Sequence, residues 1–191
     1  MKQFEQILNW NLLDGSHEFP GPDGGTCINE AAIVAAGFPY KRVNGLADIP
    51  KCFDPVIAVF ALNLNDTLRF RDRQKLLPFV GRLAGTYRDA DTSKKRAEFL
   101  RCHTDRIYPK FTSMDKMMLA DHKIYFGLLG GSRSLGRAIG RAIHMDRLKI
   151  GSALWRLDAI IQMAPGKAID HKIIAKRMET IKPKKRALQV A

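Results

Sequence analysis

The sequence predicts an all-α fold: a compact multi-helix bundle with a Gly/Pro-rich N-terminal loop and a flexible basic C-terminal tail. Three observations carry that expectation. Apolar residues recur at helical spacing almost throughout, and alternating strand patterns are scarce. The chain of 191 residues is 46% hydrophobic and 27% charged, the balance of a globular protein that buries a core. Its length suits one domain of ordinary size, or a domain with an appendage. The expected division is a helical core over 1–130 with the Gly-rich loop at 15–27, a basic helical subdomain over 131–181, and a basic tail over 182–191. Gly130-Gly131 marks the boundary between the first two.

Each element has a local reason. Residues 2–13 are expected as the first helix, with Phe4, Ile7, Leu8 and Leu12 on one side and the Asp14-Gly15-Ser16 turn as its stop. After the loop, residues 29–36 form a short helix that the Thr26 hydroxyl caps and Gly37 ends. Pro39, Gly45 and Pro50 make residues 38–53 an irregular connection. Asp54-Pro55 then combines an N-cap residue with a proline whose missing N–H costs nothing at the first helical position. The run Val56, Ile57, Val59, Phe60, Ala61 and Leu64 follows, so this helix is the expected buried centre. A further helix over 70–84 turns Leu76, Leu77, Phe79, Val80 and Leu83 inward, with Pro78 as a kink or a displaced start. From Thr92 a long basic helix, capped by Thr92 or Ser93, runs toward Pro109. The next begins at Ser113 or Asp115 and ends at Gly130-Gly131, and Ser132 to Ile150 carries Arg133, Arg137 and Arg141, each four apart, with Arg147 and Lys149 beyond. Helices over 152–163 and 170–181, the latter with Ile173, Ile174 and Met178 inward, complete the fold.

The formal net charge of +13 is unevenly placed. Residues 1–66 are net −4 and residues 67–191 net +17, so a cationic body follows a mildly acidic N-terminal third. A polyanionic partner fits that asymmetry, and a solvated cationic surface that aids solubility is the plain alternative. The N-terminus lacks the apolar core of a secretory signal, and no stretch approaches ~18 consecutive apolar residues, so no membrane partner is expected. Cys27, Cys52 and Cys102 are odd in number and share no spacing, which argues against a disulfide framework and for a reducing, cytoplasmic setting.

The segment GSHEFPGPDGGTCINEAA, residues 15–32, is too rich in turn residues for a mere connection. One reading is a thiol enzyme: Cys27 at a helix N-terminus, where N–H groups and the helix dipole favour a thiolate, His17 as base, and Glu30 or Asp14 as orienter. A structural or capping role for Cys27 is the simpler reading, since the chain offers no strands to complete such a site. Phosphate capture by Gly21, Gly24 and Gly25 has weak support, because no GxxxxGK[ST] pattern is present and Asp23 and Glu30 repel a phosphate. His17, Cys27 and Cys52 match no zinc spacing; no metal and no cofactor is expected.

The second constellation is cationic. Arg133, Arg137 and Arg141, each four apart, share one helical face, and with Lys149 and the tail residues Lys182, Lys184, Lys185 and Arg186 they could neutralise several phosphates. Gly136 and Gly140, also four apart, would instead let a neighbouring helix approach closely, with the arginines outside. His103, His122, His144 and His171 stand singly and suit surface or satisfied core positions.

The phrases WNLLDGSHEFPGPDGGTCINEAAIVAAGFPY, KCFDPVIAVFALNLND and LLPFVGRLAGT, within residues 10–85, resemble the N-terminal region of an uncharacterised family of bacterial and prophage-type helical proteins. The match covers less than half the chain, and no functional residues carry over, because no activity is assigned to that family. The resemblance implies a phage or mobile-element setting and a regulator or inhibitor of host machinery. The leading expectation is a non-enzymatic interaction protein whose basic helical face contacts nucleic acid or a nucleoprotein complex of the host. The alternatives are a cysteine-dependent enzyme using Cys27 and His17, and a protein-binding inhibitor that presents the loop at 15–27.

Overall fold

The computed structural model describes residues 11–17, 25–125 and 127–164, and of 121–128 the backbone alone. Residues 2–10 of the expected first helix, Gly21 and Gly24 of the loop, the expected helix over 170–181 and the tail from Lys182 lie outside the described residues. Among the described residues, six helices have eight residues or more: α1 (Ile28–Ala35), α2 (Pro55–Thr67), α3 (Ala90–Cys102), α4 (Ser113–Tyr125), α5 (Gly127–His144) and α6 (Gly151–Gln162). The chain is thus mostly helical, with one correction to an all-α description: Asn11–Leu12 (β1) and Gly25–Thr26 (β2) pair as a small parallel sheet.

Helix α2 is the centre. Asp54 caps it by accepting from the Val56 and Ile57 amides at 2.9 and 3.1 Å, and Pro55 opens it, as the Asp-Pro pair predicts. Val56, Ile57, Phe60, Ala61 and Leu64 are buried, and α1, α3, α5 and α6 all pack against it. Its most extensive packing is on α5, and glycine is the reason. A Cβ on Gly136 would come within 2.9 Å of the Phe60 carbonyl oxygen, and one on Gly140 would overlap Thr67 Oγ1. The close approach that two glycines four apart predict is therefore made, with α2 as the neighbour.

Asn11–Leu12 is extended, so the last residues of the expected first helix are not helical. Extended backbone at Leu12 finds partners that a helix could not use: the Gln74 side-chain amide donates to its carbonyl at 2.9 Å and accepts from its N–H at 3.0 Å. Leu13 donates to Thr26 at 2.9 Å, and its carbonyl accepts from Asn65 Nδ2 at 2.7 Å. Side chains from distant helical segments thus satisfy what neighbouring strands normally would.

Residues 70–83 are helical but broken. A single turn at Phe70–Arg73 passes into a 3-10 segment at Gln74–Phe79 and then into Val80–Leu83. Pro78 sits inside the 3-10 segment, where its missing N–H and its ring preclude a regular α-helix. Leu76, Val80 and Leu83 nevertheless reach the core, as the periodicity requires.

Two boundaries differ in the second half. Helix α3 starts at Ala90, earlier than a Thr92 or Ser93 cap implies, because Asp89 accepts from the Thr92 amide at 2.7 Å. Helix α5 runs from Gly127 through Gly130-Gly131, so that pair ends no helix. A Cβ on Gly131 would meet nothing within 4 Å, and nothing local forces the backbone out of helix there. The helix packs on α2, α3 and α4, placing the segment expected as a separate basic subdomain against the same core.

Candidate functional site

The described part of the N-terminal loop is organised by one buried carboxylate. Glu30 Oε1 accepts from the amides of His17 and Val43, both at 3.1 Å, and Oε2 accepts from the amide of Cys27 at 2.9 Å. Three separate backbone stretches meet at one side chain. Tyr40 adds a fourth tie, its hydroxyl donating to the His17 carbonyl, and burial, then Glu30, pushes its phenol above the ordinary range.

Cys27 completes a capping box: its Sγ accepts from the Glu30 amide at 3.5 Å while the Glu30 carboxylate takes the Cys27 amide. The cap lies one residue beyond Thr26, which is fully buried in β2. Cys27 is itself fully buried, and burial first, then the charge of Glu30, pushes its thiol far above the usual cysteine range. An activated thiolate needs the opposite shift and solvent access. Glu30 spends both oxygens on backbone amides, so it orients no imidazole; it meets His17 through the main chain. The three residues are neighbours, assembled as scaffold.

On α5 the arginine row divides. Arg133 is exposed and has no carboxylate partner among the described residues. Arg137 is exposed but its Nε donates to Asn63 Oδ1 at 2.9 Å, tying it to α2. Arg141 pairs with the buried Asp115 of α4. Lys149 is exposed, as is Arg147 beside it in the turn that leads to α6. Of the predicted row and its neighbours Arg133, Arg147 and Lys149 stand exposed without a carboxylate partner among the described residues, while Arg137 and Arg141 also hold helices together. Lys182, Lys184, Lys185 and Arg186 lie outside the described residues.

Two arrangements escape sequence reasoning. The first is Arg96, fully buried on a helix that reads as a basic solvated one. It pairs with the equally buried Asp54 at 2.8 Å and donates to the carbonyls of Thr86 (2.8 Å), Ile160 (2.8 Å) and Ala164 (2.7 Å). Spacing alone gives no signal for this, because the partners come from three distant segments. The second is an apolar groove of about 970 Å³ between α3, α4 and α5, floored by Leu100, Leu119 and Leu135 and rimmed by Lys94, Lys95 and Arg101. At its edge Phe99 belongs to an aromatic cluster with His103 and Trp155, ring centroids 4.0 and 5.6 Å away.

Among the described residues no group of three or more His, Cys, Asp or Glu could hold a metal, and no helix is long and apolar enough to cross a membrane. Compared with protein-family models, with curated proteins and with solved structures, the chain matches none.

Proposed function

We propose that the protein is a non-enzymatic binder of nucleic acid, or of a nucleoprotein complex of a host, and that the cations of its C-terminal two thirds supply phosphate contacts. The observation that carries this reading is the charge asymmetry, net −4 over residues 1–66 against +17 over 67–191. Arg133 in the first half of α5, and Arg147 and Lys149 in the turn that follows its C-terminal end, support it by standing exposed. The resemblance over residues 10–85 adds a phage or mobile-element setting. Cys27 speaks for scaffolding rather than for a thiol enzyme, because it is buried and its thiol is shifted away from ionisation.

Polarisation titrations of labelled DNA and RNA across a salt series test the proposal. Expected is binding whose log K falls linearly with log salt, steeply if several phosphates are contacted. The charge reversal R133E/K149E is expected to weaken every nucleic acid similarly, since phosphate contacts are blind to sequence. No binding at low salt, or binding without a salt slope, would overturn the reading.

A further inference from the structure

Phosphate contacts give affinity, but a broad apolar π face for a base comes from an aromatic side chain. Trp155 on α6 offers one. It is 50% exposed, with two rings and a guanidinium group beside the indole. His103 lies 5.4 Å from it, edge-on at 62°, and Phe99 lies 5.6 Å away, tilted at 45°. Neither ring stacks parallel on the indole, so these neighbours fix it without covering a π face by stacking. Below it, the guanidinium carbon of Arg156 sits 5.4 Å from the indole centroid.

Arg156 is buried and held by three acceptors. It donates to the Ser152 carbonyl (2.9 Å), to Ser152 Oγ (2.7 Å) and to the His103 carbonyl (2.6 Å). That last oxygen belongs to the C-cap residue of α3, so the guanidinium satisfies a carbonyl at the helix end and couples α3 to α6. His103 is fixed in turn, its Nδ1 lying 2.9 Å from the Phe99 carbonyl. The result is a preorganised aromatic ledge with a cation against it. Charges lie on the elements that carry this cluster: on α3 Arg101 is paired with Glu98, on α6 Asp158 is paired with the half-buried Arg82, and in the segment after α3 Arg106 is exposed with no carboxylate partner among the described residues.

We propose that Trp155 is a stacking platform for an unpaired base of a single-stranded nucleic acid. The inference rests on the nucleic-acid reading above and adds the base contact that reading lacks. A nucleobase fits better than an apolar protein side chain because it brings a flat π face to the indole and a phosphate to α3 and the segment after it, where exposed Lys94, Lys95, Arg101, Arg106 and Lys110 outnumber Asp91, Glu98 and Asp105. A paired base inside a duplex cannot present that face, so single strands are the preferred class.

The test uses fluorescein-labelled 20-nucleotide single strands of DNA and RNA and the matching duplexes. Trp10 and Trp155 are the only indoles in the chain, so W10F leaves Trp155 as the sole reporter. Expected is quenching of its emission on adding a single strand, with about a tenfold affinity loss in W155A at an unchanged salt slope, and most affinity retained in W155F. The affinity comparison is made in the Trp10 background and therefore does not depend on W10F folding, and circular dichroism checks the helicity of each variant. Strand binding with unchanged emission and unchanged W155A affinity overturns the platform while leaving the basic-face reading intact. No binding to any strand or duplex at low salt overturns both. A W155A protein that keeps its strand affinity but loses a nuclease-resistant protein partner places the indole in a protein interface and likewise overturns the proposal.

Discussion

Arg96 lies buried with an acceptor for each guanidinium nitrogen: Nε reaches Ile160, Nη1 reaches Asp54 and Thr86, and Nη2 reaches Ala164. Asp54 is equally committed, serving the α2 cap, Ser93 and Arg96 at once. Removing one partner strands the other charge away from water, and the handicap is large. Asp54→Asn is expected to lower unfolding free energy in urea by about 3–5 kcal/mol. The double variant D54N/R96M should lose less than the sum of its single changes, since neither charge is then left alone. The cysteines make a second, independent prediction. Cys102 is exposed and Cys27 buried, so alkylation at pH 7.5, read by peptide mass spectrometry, should label Cys102 well ahead of Cys27 until urea opens the fold. The hydrogen bond from Cys102 Sγ to Glu98, at 3.2 Å, holds that thiol above its ordinary value by stabilising the protonated form. Glu98→Gln removes the carboxylate's negative charge, lowers the thiol pKa and should speed alkylation of Cys102 while leaving Cys27 unlabelled.

At the scale of elements, α5 holds glycines in opposite circumstances. Gly131 faces open space, so Gly131→Ala should stabilise by about 0.5–1 kcal/mol through helix propensity and a less flexible unfolded chain. Gly140 faces Thr67, whose hydroxyl is engaged with the Asn63 carbonyl at 2.6 Å and whose Cβ would lie 2.7 Å from an added methyl. Gly140→Ala should therefore destabilise by about 1–3 kcal/mol, and thermal melts of the pair give shifts of opposite sign. The same helix shows what the sequence discloses. Gly136 and Gly140 are legible because a small-residue pair at helical spacing has one common use, and Asp54-Pro55 is legible because cap and first-turn proline are chemically local. Start and stop signals that compete are less legible. Thr26, Cys27, Thr92 and Ser93 are all small side chains near a helix start, and the choice of Cys27 and Asp89 as caps depends on where the backbone turns. Gly130-Gly131 has the composition of a break, yet it remains helical because α5 gains more from packing on α2 and α4 than two glycines cost. The two-residue strands leave no periodicity at all, and they are held by Gln74, which bonds Leu12 from far along the chain, and by Asn65, which bonds Leu13 just beyond β1.

For the whole molecule, the charge division and the helical class follow from the sequence, but the availability of each cation does not. Arg133, Arg137 and Arg141 look equivalent at a spacing of four; folding commits Arg141 to Asp115 and Arg137 to Asn63 and leaves Arg133 open. Arg73 and Arg96 are buried and paired with Asp14 and Asp54, and Arg156 is buried against three acceptors, so none of the three is a side chain that a phosphate reaches directly. If binding is electrostatic, the two sources of remaining charge can be separated by the salt slope rather than by affinity alone. Every phosphate that a variant no longer neutralises should reduce the slope by about 0.7 for a single strand and about 0.9 for duplex DNA. R133A/K149A then predicts a fall of up to about two such increments, and deletion of residues 182–191, which removes four cations, a fall of up to about four. Arg141→Ala should behave differently: it strands the buried Asp115, so its principal effect is on thermal stability, with little change in slope. A slope that moves with Arg141 and not with Arg133 or Lys149 would mean that the arginine facing Asp115 is the one reaching phosphate, and that the ion pair opens when ligand arrives.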